Sequence, residues 1–91
     1  MSHFQKQIET DHGFTTFYFN RVIVDQGAWF HVSAVVNKKA VIFHMEQEHD
    51  QWKIMDPVNI EWLSNIENQL SDAIVQYYLS GPKDDNPWFA D

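Results

Sequence analysis

The chain has 91 residues, which is enough for one domain with one small hydrophobic core. Its content of 44% hydrophobic and 15% aromatic residues excludes an intrinsically disordered chain, and the lack of cysteine excludes disulfides and thiolate chemistry. Thirteen acidic against six basic residues give a formal net charge of −7, which repels nucleic-acid phosphates and anionic lipids.

The first half of the chain has the composition of β-strands. Aromatic and β-branched residues dominate residues 14–25, 28–36 and 40–48, and turn-forming residues separate these segments. Residues 4–10 and 51–55 alternate between polar and apolar and add a first and a last strand. The sequence therefore predicts an antiparallel meander of four or five strands.

After Pro57 the apolar period changes from two residues to about 3.6, the period of an amphipathic helix. The residues that share its apolar face are Trp62, Leu63, Ile66, Leu70, Ala73, Ile74 and Tyr77. Gly81 and Pro82 form a stop signal. We expect one long helix from about Pro57 to about Ser80.

Together these elements predict one α+β domain over residues 1–80, in which the C-terminal helix packs on one face of the meander. Residues 81–91 have two prolines and no periodicity, and we expect a flexible tail there. The N-terminus has no leader-like apolar stretch and no apolar run is long enough for a membrane span, so a cytoplasmic protein without membrane contact is expected.

Strand pairing divides the sheet into two faces. A turn at Gln26–Gly27 would place Ile23 opposite Phe30. The apolar side chains of the neighbouring strands would then lie together on one face of the sheet. That face, which we expect the helix to cover, contains Phe17, Phe19, Ile23, Phe30, Val32, Ala34, Val36, Val41, Phe43 and Met45.

The next hairpin has two possible registers that preserve these faces. A turn on Asn37–Lys38 pairs His31 with His44, whereas a turn on Lys38–Lys39 pairs His31 with Glu46. The sequence alone does not choose between them.

A single helix covers a single face, so the opposite face keeps its apolar side chains without a cover. These are Tyr18, Val22, Val24, Trp29, Val35 and Ile42. Monomers seldom expose a large apolar patch, and we expect this face to bind a second copy, another protein or a ligand. If the sheet curls on itself, or if Trp88 and Phe89 dock there, the face is partly internal instead.

The ionisable residues on this face predict little chemistry. His44 and Glu46 have nitrogen and carboxylate ligands for a metal, but residues two apart on a strand are about 6.6 Å apart and need partners from another strand. His31 and Ser33 share the face without a nucleophile elbow or a glycine-rich oxyanion loop. We therefore predict no metal, no cofactor and no catalytic residue, and do not expect an enzyme.

The sequence thus predicts a non-catalytic interaction module, a homodimer or a partner of another protein, that meets its partner through the uncovered face or an edge strand. The predicted binding residues are Tyr18, Trp29, His31, Ile42 and His44. The alternative is a small-ligand or metal-binding domain that uses the same face. A single-stranded nucleic-acid platform is less favoured, because carboxylates border the aromatic residues.

Overall fold

The computed structural model describes residues 3–25, 27–55 and 61–80. Its strands are β1 (His3–Thr10), β2 (Gly13–Val24), β3 (Gly27–Val36), β4 (Lys39–Glu48) and β5 (Gln51–Ile54). Each strand pairs antiparallel with the next, so the order in the sheet is β1-β2-β3-β4-β5. The predicted antiparallel meander is confirmed, with five strands in a curled sheet.

The β3–β4 hairpin turns on Asn37 and Lys38. Both have positive φ angles, 53° and 66°, and Val36 pairs with Lys39 across the turn. Two consecutive left-handed residues make the turn whose twist matches that of the flanking strands. The structure therefore has the register in which His31 lies opposite His44.

The β2–β3 hairpin differs from its prediction. Val24 pairs with Gly27, so Arg21 rather than Ile23 lies opposite Phe30. Gly27 has a φ of 137° and joins the ladder as the first residue of β3 instead of the turn. Because the register moves by two residues, each side chain keeps its face. Ile23, however, is 52% exposed and was wrongly assigned to the core.

The helical segment is not the one long helix that was predicted. It consists of α1 (Glu61–Asn65) and α2 (Glu67–Leu79), separated at Ile66, whose φ and ψ are −111° and 7°. The Ile66 N–H donates to the Leu63 carbonyl, which is the tighter bonding of a 3₁₀ turn. In α1, the Ser64 hydroxyl donates to the Glu61 carbonyl at 2.8 Å, a contact of the kind that bends helices.

Two predictions at the ends of this segment lie outside the described residues. They are the helix start near Pro57 and the flexible tail of residues 81–91, including the docking of Trp88 and Phe89. Neither of the described helices has the length and hydropathy needed to cross a lipid bilayer.

The helices pack on the predicted face of the sheet and enclose the core between them. The largest fully buried side chains are Phe17, Phe19, Phe30, Val32, Phe43, Met45, Leu63, Leu70 and Ile74. With the helices on this side, the opposite side of the sheet has no cover from either described helix.

Candidate interaction face

The side of the sheet opposite the helices carries all five predicted binding residues. We call this side the open face and define it by Tyr18, Val22, Val24, Trp29, His31, Val35, Ile42 and His44. Its side chains alternate along each strand with those of the core. Curling leaves Val35, Ile42 and Tyr18 exposed, at 67%, 58% and 48%, whereas Val22, Trp29, His31 and His44 are half-buried.

A polar row crosses the middle of the open face. His3 pairs with Asn20, Asn20 with His31, and His31 with His44, so the row runs over four neighbouring strands. Since β3 is the central strand of the sheet, His31 lies near the centre of the face. Both His31 and His44 are half-buried.

A row that mixes apolar and polar side chains lies on either side of the histidines. Tyr18 pairs with Ser33 and Ser33 with Ile42 on one side. On the other side, Val22 pairs with Trp29 and Trp29 with Glu46. The face therefore combines apolar side chains with a central polar row, and Glu46 and Glu48 lie toward its Trp29 end.

His44, Glu46 and Trp29 form a contact cluster at that end. The Nε2 atom of His44 lies 2.9 Å from Oε2 of Glu46. The rings of Trp29 and His44 have centroids 4.8 Å apart, at 60° to each other. Alternation placed His44 and Glu46 on one side of β4, as the structure shows, but the contact of His44 with Trp29 was not predicted, because it depends on the hairpin register that the sequence left open.

A metal centre is not present among the residues that the structure describes. In those ranges, no group of three or more His, Cys, Asp or Glu side chains is placed to hold a metal ion. His31 and His44 are neighbours across the strands, but Glu46 lies on the Trp29 side of His44 and does not complete a ligand set with them.

Three grooves surround the domain and were not predicted. One of about 540 Å³ lies between β1 and α2 and includes Phe4, Ile8 and Tyr77, and one of about 520 Å³ lies between β5 and the end of α2. A third, of about 500 Å³, reaches the open face at His3, Gln5, Tyr18 and Asn20. Strand alternation carries no signal for the first two grooves, because they depend on where the helix lies.

Both edges of the sheet are modified in ways that oppose pairing with another strand. On β5, the backbone N–H groups of Trp52 and Ile54 donate to side chains of α2, Ser71 Oγ at 3.0 Å and Glu67 Oε2 at 2.9 Å. On β1, Lys6 alternates with Phe4 and Ile8 and so faces the helix side of the edge strand. A short edge strand and an inward-facing charge are two devices that keep edges from aggregating.

Comparisons with protein-family models, with curated proteins and with solved structures gave no match for this chain.

Proposed function

We propose that the protein is a non-catalytic interaction module that forms a homodimer by packing its open face against that of a second copy. The observation that supports this most is the exposure of Tyr18, Val35 and Ile42 on one continuous face. Contiguous exposed apolar surface is a mark of an interaction site.

The whole side of the sheet that contains the open face has the size that a specific dimer needs. Strands β3 and β4 have ten residues each, a length of about 33 Å at the usual rise per residue. Five strands at the usual spacing are about 20 Å wide, so this whole side of the sheet, with the polar positions of β1 and β5 included, measures about 600 Å². Two copies would bury about 1,200 Å² in total, which is at the lower end of specific interfaces.

The composition of the face also supports self-association. Charged groups are depleted from the core of interfaces, and Trp and Tyr are enriched there. The open face has Tyr18 and Trp29 on either side of its central polar row, and Glu46 lies off-centre. The two altered edges favour a dimer through the face over one through an edge strand.

Base stacking on the same face is opposed by its charges. Lys53 on β5 lies opposite Glu46 on β4. Glu48 lies two residues after Glu46 on the same side of β4. The neutralisation of phosphates that drives single-stranded nucleic-acid binding is therefore weak at this face.

Two substitutions test the dimer. Ile42→Glu and Trp29→Asp each place a charge on the open face and are expected to weaken dimerisation at least about tenfold, because an unpaired charge would be buried in the interface. Ile23→Glu is the matched control, since Ile23 is 52% and Ile42 58% exposed and Ile23 does not lie on the open face. Sedimentation equilibrium over a dilution series at pH 7.5 measures the dissociation constants.

The expected result is a wild-type dimer, a weaker dimer for both open-face variants and an unchanged dimer for Ile23→Glu. Near-ultraviolet circular dichroism shows whether each variant keeps its fold, which matters most for the half-buried Trp29. A monomeric wild type at several hundred micromolar would overturn the proposal and favour the small-ligand alternative at the groove beside Tyr18.

A further inference from the structure

We infer that this dimer is pH-dependent, and that protonation of His31 at the centre of the open face separates the two copies. The inference rests on the proposed dimer and adds its regulation. It is carried by one juxtaposition, namely His31 directly opposite His44 on the middle strands of an exposed apolar face.

The position of His31 makes it the residue most affected by dimerisation. A dimer through one shared face has a twofold axis, and residues near the centre of the face lie near their symmetry mates. His31 is already half-buried in one copy and lies between Asn20 on β2 and His44 on β4. A second copy would remove the remaining water from it and bring a second His31 close.

The other ionisable groups on this side of the sheet decide what a proton on His31 would meet. These are His3 and Glu9 on β1, Tyr18 on β2, His44, Glu46 and Glu48 on β4, and Lys53 on β5. Of the described carboxylates, Glu46 is the one hydrogen-bonded to a histidine of the row, and that histidine is His44.

His31 and His44 therefore differ in their charged neighbours. The Nε2 atom of His44 lies 2.9 Å from a carboxylate oxygen of Glu46. A proton on His31 has a histidine as its nearest ionisable neighbour across the strands, and in the dimer it would be desolvated beside its mate. Burial of an unpaired charge opposes association.

The sign of the pH dependence follows from linkage. Histidine side chains gain charge between about pH 8 and pH 5. If the dimer excludes protons that the monomers bind, the dimer is most stable at the neutral end of this range and is lost as the pH falls.

Non-specific charge effects have the opposite sign, which makes the result diagnostic. The chain carries −7 with its five histidines neutral, and protonating them would reduce the repulsion between two copies. A general charge effect would tighten the dimer in acid, whereas the His31 mechanism loosens it.

The experiment is sedimentation equilibrium of the full chain at pH 7.5 and pH 5.5 and constant ionic strength. We expect the wild-type dissociation constant to rise at least about tenfold at pH 5.5, as the exclusion of about one proton or more per dimer would require. The His31→Gln variant is expected to dimerise at both pH values, and its dissociation constant should change by less than about threefold between them.

His49→Asn is the control, because His49 lies in the β4–β5 turn at a φ of 58°, which asparagine tolerates. It should show the wild-type pH dependence. Circular dichroism at pH 5.5 tests that the monomer stays folded.

The outcomes separate the two proposals. A wild type that is monomeric at both pH values overturns the dimer and the switch together. A wild-type dimer of equal affinity at both values, or a His31→Gln variant as sensitive to acid as the wild type, overturns the switch and leaves the dimer standing.

Discussion

Phe4 shows at the scale of one residue how the first strand is held to the domain. Its ring stacks on Phe19 and on Tyr77, each at a centroid distance of 4.4 Å, and thus joins the edge strand to the sheet and to the helix. Phe14, near the start of β2, is 69% exposed. Two phenylalanines close in sequence therefore have different roles.

We expect Phe4→Ala to lower the free energy of unfolding by about 2–3 kcal/mol, because a half-buried aromatic ring with two stacking partners is removed. Phe14→Ala, the matched control, should change it by less than about 0.5 kcal/mol. Urea denaturation followed by tryptophan fluorescence measures both. Equal losses for the two variants would contradict the packing assigned to Phe4.

At the scale of elements, the connection between β5 and α2 depends on α2 side chains that accept hydrogen bonds from backbone N–H groups of β5. Ser71 is buried and accepts from the Trp52 N–H, and Glu67 accepts from the Ile54 N–H. Lys53 lies 3.8 Å from the second carboxylate oxygen of Glu67. A four-residue strand is thus fixed by the helix as well as by β4.

Ser71→Ala should lower the free energy of unfolding by about 1–3 kcal/mol, since it leaves the Trp52 N–H buried without its acceptor. Hydrogen exchange at the Trp52 amide should become faster than at the amides of β3. Ser64→Ala removes an exposed serine of α1 and should change stability by less than about 0.5 kcal/mol. Unchanged exchange at Trp52 in the Ser71 variant would show that this hydrogen bond does not hold β5.

At the scale of the whole molecule, the question is which surface of the domain associates. The helices occupy one face of the sheet, α2 side chains accept from the outer N–H groups of β5, and Lys6 faces the helix side of β1. The open face is the broad apolar surface that remains among the described residues. The same arrangement predicts what happens when the β1 edge loses its charge.

Lys6→Val should create a second association surface, because it gives the eight-residue edge strand a continuous apolar side toward the helix. We expect species larger than a dimer in sedimentation velocity at pH 7.5, whereas Lys6→Arg should keep the wild-type distribution. Adding Ile42→Glu to Lys6→Val separates the two surfaces, since the double variant should still associate through β1. A wild-type distribution for Lys6→Val would contradict a protective role for Lys6.

The strands and the two faces were predictable because strand alternation is local. The β-branched and aromatic segments gave their positions to within one or two residues, and Phe17 and Phe43 were assigned correctly to the core. Even the register error at Gly27 preserved the faces, because it was a shift by two residues. The helix break at Ile66 escaped prediction, since the apolar period continues through it while the backbone does not.

The positions of the predicted binding residues were also predictable, but their contacts were not. Alternation alone assigns Tyr18, Trp29 and Ile42 to one side of the sheet. The contact of His44 with Glu46 depends on side-chain conformations within β4, and its contact with Trp29 depends on the register between β3 and β4. The groove between β1 and α2 depends on how the helix lies over the sheet.

By itself the sequence determined the fold class, the strand order in the chain and the division of side chains between two faces, because these follow from hydrophobic period and turn chemistry over a few residues. Only the tertiary structure decided that His31 faces His44, that α2 side chains close the β5 edge and that Ile23 lies outside the core. These features depend on distances between segments far apart in the chain, which a local pattern does not contain.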